Sequence, residues 1–180
     1  MKLLRTIRLD PSDTFVFAPA AEPGEWAAPG AFVFWNTDVD ALAGKARAAF
    51  RSGLLGIGSL GWSTLAQVVD ATEKDREEAV ALLADRLVAH FGAPDAAAAR
   101  AAAAEEIGFA ASLADHPAGT LIAVHRWIED GAVREQFRTL RRREGAETHP
   151  RAFSFLDVEG EGEDAPAEAV DLTVLARGER

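Results

Sequence analysis

The chain has 180 residues, 48% of them apolar and 27% charged, a formal net charge of −10 and no cysteine. That length and composition predict one soluble globular domain, 1–180, with a single substantial core. The missing cysteine excludes disulfides, iron–sulfur clusters, thiolate zinc sites and cysteine nucleophiles, and the acidity weighs against nucleic-acid and anionic-membrane binding, which need basic surface.

Lys2 to Leu9 reads as a first strand. Arg5 and Arg8 interrupt the apolar stretch that a cleaved leader would need. No apolar run approaches the roughly 20 residues of a membrane span, so a cytoplasmic location is expected. Arg far outnumbers Lys and Ala is abundant, the amino-acid bias of a high-GC bacterial genome.

Asp10-Pro11-Ser12-Asp13 is a turn cluster, Thr14–Phe17 a second short strand, and Pro19–Pro29 a loop holding Trp26. Gly30–Trp35 is a third, strongly apolar strand, so the opening is expected to be an antiparallel meander. Thr37–Arg51 is predicted helical, with Thr37 and Asp40 as a capping box and Gly53 as a left-handed cap. Leu54–Ile57 and Trp62–Val69 then form two strands joined by Gly58-Ser59-Leu60-Gly61.

Thr72–Phe91 is predicted to be a helix capped by Thr72 and Asp75, with Val80, Leu83, Leu87 and Phe91 on one face. Gly92 and Pro94 end it. Asp95–Asp115 is a second long helix, Ala at most positions, and the short connection makes the two an antiparallel helical hairpin. Thr120–Glu129 and Ala132–Leu140 flank Asp130-Gly131, a type I′ hairpin signal that fixes the register. Arg126 then faces Glu135, and Ile122, Val124, Ile128, Val133 and Phe137 are expected on the core side. Ala152–Val158 is a further strand. Residues 159–168 are acidic, a mobile loop in this reading, and Val170, Leu172 and Val174 alternate as a last edge strand would.

Gly56-Ile57-Gly58-Ser59-Leu60-Gly61 matches the glycine pattern that cradles a dinucleotide pyrophosphate. Its context does not fit, because that device needs a buried strand before it and a helix opening on it. A helix precedes this one and a strand follows, so the glycines read first as a hairpin turn. Ser59 misses the nucleophile elbow, since Ile57 stands where a glycine is needed. His90, His116, His125 and His149 show no metal-ligand spacing, and no cofactor or metal is expected.

Residues 117–156 carry seven basic and five acidic side chains, the basic exception in an acidic chain. His125, Trp127, Arg134 and Arg138 share the outer face of the hairpin, and Arg134 opposes Trp127, which permits a cation–π stack. Arg141, Arg142, Arg143, His149 and Arg151 extend the basic stretch. Such a face can hold a carboxylate, a phosphate or an acidic partner segment. The plain alternative is a solvated sheet face paired with the chain's own acidic run, Glu159 to Asp164.

The segments Met1-Lys2-Leu3-Leu4-Arg5-Thr6-Ile7-Arg8-Leu9-Asp10, 51–62 and Gly119-Thr120-Leu121-Ile122-Ala123-Val124 resemble an uncharacterised alphaproteobacterial protein family of unknown function. Such proteins look like genomic neighbours of formate-dehydrogenase accessory genes and of a lipoate/biotin-ligase-like gene. The resemblance therefore implies an accessory role and carries over no catalytic residue.

The expectation is an α+β fold, a mainly antiparallel sheet with the helical hairpin packed on one face. The leading functional reading is a cytoplasmic accessory or interaction protein, leaning away from an enzyme, whose contact surface lies around Trp127, Arg134 and Arg138. The alternative is a small-molecule binder or enzyme acting on an anionic ligand, with Gly56, Gly58 and Gly61 and the basic hairpin face (His125, Trp127, Arg134, Arg138) forming one cleft. A third reading, a purely structural homodimer built on a sheet edge, is compatible with all of these features.

Overall fold

A computed structural model describes residues 1–142 and the strand 156–159. Two antiparallel sheets carry the fold. The larger has the order β1 (Lys2–Ile7), β5 (Leu65–Asp70), β6 (Leu121–Glu129), β7 (Ala132–Arg142), β8 (Leu156–Glu159). The smaller joins β2 (Ala27–Ala28), β3 (Leu54–Gly56) and β4 (Gly61–Ser63). Four helices complete the described residues: α1 (Ser12–Val16), α2 (Gly44–Ser52), α3 (Glu73–His90) and α4 (Ala96–Leu113). The α+β class and the helical hairpin are as the sequence predicts.

The hairpin helices form where their caps and apolar faces agree. Thr72 and Asp75 exchange both bonds of a capping box at the start of α3, and Asp95 Oδ1 accepts from the Ala98 amide at the start of α4. The buried residues of α3 are Ala79, Val80, Leu83 and Ala84; those of α4 are Ala99, Ala103, Ile107 and Ala110. They meet Leu3 of β1, Ala28 of β2 and Ile57, so the hairpin lies against the junction of the two sheets. Burying a side chain such as Leu83 or Ile107 contributes roughly 1.5–3 kcal/mol. Arg100 and Glu77 tie the helices at the surface.

The opening departs from the predicted meander. Thr14–Phe17 is not a strand: Ser12–Val16 is a helical turn, because Asp13 is buried and accepts from the Thr64 amide (3.2 Å), Thr64 Oγ1 (2.6 Å) and Ser63 Oγ (3.2 Å). Phe17 enters the core while Phe15 and Val16 stay exposed. Nor is Gly30–Trp35 a strand. Gly30 takes a left-handed φ of 80° and starts a 3-10 turn over Ala31–Phe34. Phe34 then stacks on Trp62 at 5.2 Å, and Trp35 is left 78% exposed. A short apolar run carries no periodicity that separates strand from turn. The antiparallel partner of β1 is β5, and the outer edge of β1 is covered by the segment 24–26 through Thr6 N–H to Glu25 O (2.9 Å) and Gly24 N–H to Thr6 O (2.8 Å).

The helix predicted from Thr37 starts only at Gly44, and no Thr37–Asp40 cap forms. Gly53 is extended (φ −90°) rather than left-handed. The carbonyls at this helix end are instead taken by Arg126, whose Nη1 donates to Phe50 O (3.2 Å) and Gly53 O (2.7 Å).

The β6–β7 hairpin has the register that Asp130-Gly131 dictates, with positive φ at both turn residues. Its core side is apolar only in part. Ile122 and Val124 are buried, but Ile128 is 37% exposed and Arg126 is fully buried. The cause is the sheet itself: β5 pairs with β6 only at Ala66–Ile122 and Gln67–Leu121. Beyond Ile122 the strand leaves β5, and α2 comes alongside it. β8 lies within the predicted Ala152–Val158 strand and runs one residue past it; 152–155, the acidic run from 160 and the predicted last strand lie outside the described residues.

Candidate functional site

Where β6 parts from β5, a cavity of about 330 Å³ opens between β6, α2 and the turn preceding α2. The β6 wall is His125, Arg126, Trp127 and Ile128; α2 gives Arg47, Phe50 and Arg51; the turn gives Val39 and Asp40. Arg47 and Arg51 are one helical turn apart on α2, so both reach the same space. The apolar side of α2 is anchored by Ala49 and Phe50, which pack with Phe17, Phe34, Leu55 and Trp62. That anchoring fixes the side of the helix that faces β6.

The electrostatics are positive and incompletely compensated. Arg47, Arg51 and Arg138 form no ion pair among the described residues. Asp40 is the acidic side chain on the wall. Burial, together with the nearby Arg51 and Arg138 guanidinium groups, holds His125 below the usual imidazole value of 6.5. His125 also stacks on Trp127, with ring centres 5.7 Å apart and 24° between planes. At neutral pH the imidazole is therefore uncharged, and a bound anion would reverse that bias.

Beneath this wall lies a buried polar cluster. Arg126 Nε donates to Glu135 Oε1 at 2.6 Å, Nη1 donates to the two carbonyls that end α2, and Nη2 donates to Pro29 O. Glu106 of α4 accepts from the Gly30 amide at 2.9 Å. Burial is the main force raising the Glu106 carboxyl above the usual carboxylate range; Glu135 adds to the rise, while the Gly30 bond and Arg126 oppose it. One guanidinium thus holds together α2, the segment before the 3-10 turn, and the β6–β7 hairpin. It sets the position of α2 and so the width of the cavity.

Two of the seven site residues expected from sequence, His125 and Trp127, line this cavity. Arg138 lies close enough to act on His125. Arg134 opposes Trp127 in the ladder, as the turn requires, but its Nε donates to Glu129 Oε2 at 3.0 Å. The cation–π stack that forms is elsewhere: the Arg5 guanidinium sits 3.5 Å above the Trp26 ring.

Gly56, Gly58 and Gly61 are not among the residues that line this cavity. These glycines permit a close approach of the segment 20–25. A Cβ on Gly61 would lie 2.5 Å from the Ala20 carbonyl carbon, and one on Gly56 would lie 2.7 Å from Ala21 Cβ. The turn holds a carboxylate of the chain itself: Glu25 Oε2 accepts from the Ser59 amide at 2.8 Å. Arg86 closes the turn from α3 by donating to Gly58 O at 2.6 Å.

Sequence reasoning missed Arg47 and Arg51, which are far from the basic stretch along the chain. Their i, i+4 spacing beside the buried Ala49-Phe50 pair was the available signal. Among the described residues no group of three or more His, Asp and Glu is placed to hold a metal ion, and no helix is long and apolar enough to cross a membrane.

A family model described as a family of unknown function (DUF6505) matches residues 1–152. No curated protein and no solved structure matches the chain.

Proposed function

The chain belongs to the DUF6505 family, and from that premise we propose that it is a cytoplasmic, non-enzymatic accessory protein that captures an acidic segment of a partner on its basic hairpin face. The observation that carries this reading is the exposed β7 face, where Arg138, in no ion pair among the described residues, lies with Arg134 on the same side of the hairpin as His125 and Trp127, in a chain of net charge −10. An acidic protein repels most anionic surfaces, so a local cationic face selects by position as well as by charge. Trp127 adds a flat, half-buried contact of the kind enriched at interfaces. An alphaproteobacterial origin fits the same reading.

Fluorescence anisotropy with a labelled oligoglutamate peptide tests it. Wild-type protein should bind, with affinity falling as salt rises. The double variant Arg134→Glu/Arg138→Glu should lose binding while keeping its circular dichroism spectrum and melting temperature, since both side chains are exposed. Equal binding by a folded double variant would remove the hairpin face from the account.

A further inference from the structure

The α2–β6 cavity differs in kind from the open strand face beside it. It is walled on two sides and has the lower end of the volume typical of small-ligand pockets, about 300–1,000 Å³. Its lining also divides chemically. Val39, Phe50, Ile128 and the Trp127 ring form an apolar part, whereas Arg47, Arg51 and His125 form a polar one.

The charge count selects the ligand. Arg47 and Arg51 contribute two positive charges and Asp40 one negative. His125 is neutral at pH 7, and Arg126 is balanced by Glu135 at 2.6 Å. The lining thus carries one net positive charge, which a monoanion neutralises and a dianion overshoots; Arg138 lies outside that lining. A guanidinium pair one helical turn apart suits the two oxygens of a carboxylate. The aromatic and aliphatic part suits a flat apolar body attached to it.

We propose that this cavity binds a small monocarboxylate carried on a flat apolar group, with Arg47 and Arg51 holding the carboxylate and Trp127, Val39 and Ile128 holding the body. The site goes beyond partner capture: its clamp is on α2, whereas the capture face is on β7.

The test is a titration of the whole protein followed through the four tryptophan indole N–H signals in ¹H–¹⁵N spectra, with Trp127 assigned by Trp127→Phe. The probes are benzoate, acetate and phenyl phosphate at pH 7.5. Benzoate should shift the Trp127 signal saturably and bind tighter than acetate, which lacks the apolar body, and tighter than phenyl phosphate, which carries the extra charge. The folded variant Arg47→Ala/Arg51→Ala should weaken benzoate at least about tenfold and leave oligoglutamate capture largely intact. Arg134→Glu/Arg138→Glu should do the reverse. No saturable shift with benzoate, acetate binding as tightly as benzoate, tighter binding of phenyl phosphate, or an undiminished response in the α2 double variant would each overturn the assignment. Loss of oligoglutamate binding by wild type alone would overturn partner capture and leave this site standing.

Discussion

Arg126 faces Glu135 across the β6–β7 ladder and donates its Nε–H to Glu135 Oε1 at 2.6 Å, with the guanidinium fully buried. An arginine in a core is stable only when its donors are matched, and here the matched acceptors come from three parts of the fold: β7, the end of α2 and the segment before the 3-10 turn. Arg126→Met should cost about 3–5 kcal/mol, because Glu135 and the carbonyls of Pro29, Phe50 and Gly53 lose their donor together. Arg126→Met/Glu135→Leu should recover part of that loss, as removing both charges spares one buried orphan. Urea unfolding of the three proteins measures both effects.

Glu106 predicts a pH dependence of definite sign. Its folded-state pKa is raised, chiefly by burial, so folding favours the protonated acid. The stability it contributes is therefore present below the unfolded carboxylate pKa and is lost as pH rises through the raised folded value. Relative to Glu106→Gln, which keeps an acceptor for the Gly30 amide, wild type should lose stability between acidic and neutral pH. Chemical denaturation of the pair across that range shows a widening gap if this is right and parallel curves if it is not.

The glycines of the Gly56–Gly61 turn should respond unequally to alanine. Gly61 is pressed against the Ala20 backbone, which cannot give way cheaply, and Gly61→Ala should cost about 1–3 kcal/mol. At Gly58 the nearest atom is the Glu25 carboxylate at 3.0 Å, the end of a flexible side chain, so Gly58→Ala should cost less. Thermal melts of the two variants make the comparison.

The most legible parts of the sequence were the locally specified ones. Thr72 and Asp75 declare the start of α3, alanine dominates α4, and Asp130-Gly131 fixes nine residue pairs of the β6–β7 ladder. The opening was misread because tertiary contacts override its pattern. The Thr14–Phe17 alternation yields to Asp13 being held by Ser63 and Thr64, and the run after Gly30 turns to place Phe34 on Trp62. The site was half legible for the same reason. His125, Trp127 and Arg138 follow from hairpin register, but Arg47 and Arg51 join them only because α2 packs where β5 stops pairing with β6. That gap is a property of the assembled sheet.

His125 should make ligand binding depend on protons. Partial burial, with Arg51 and Arg138 nearby, holds its pKa down, and a carboxylate beside it would raise that pKa. Benzoate should therefore bind more tightly as pH falls through the raised, ligand-bound value, levelling off below the free-protein value. Calorimetry in buffers of different ionisation enthalpy should register proton uptake on binding within that window. His125→Gln should abolish both the uptake and the pH dependence; their persistence would assign the titration to another group.

Partner capture by the basic hairpin face is tested most directly by native mass spectrometry of the protein isolated from its own host, wild type beside Arg134→Glu/Arg138→Glu. The account predicts a stoichiometric protein partner on the wild type that is missing from the folded double variant. The same partner on both proteins, or a bare chain in both, would contradict it.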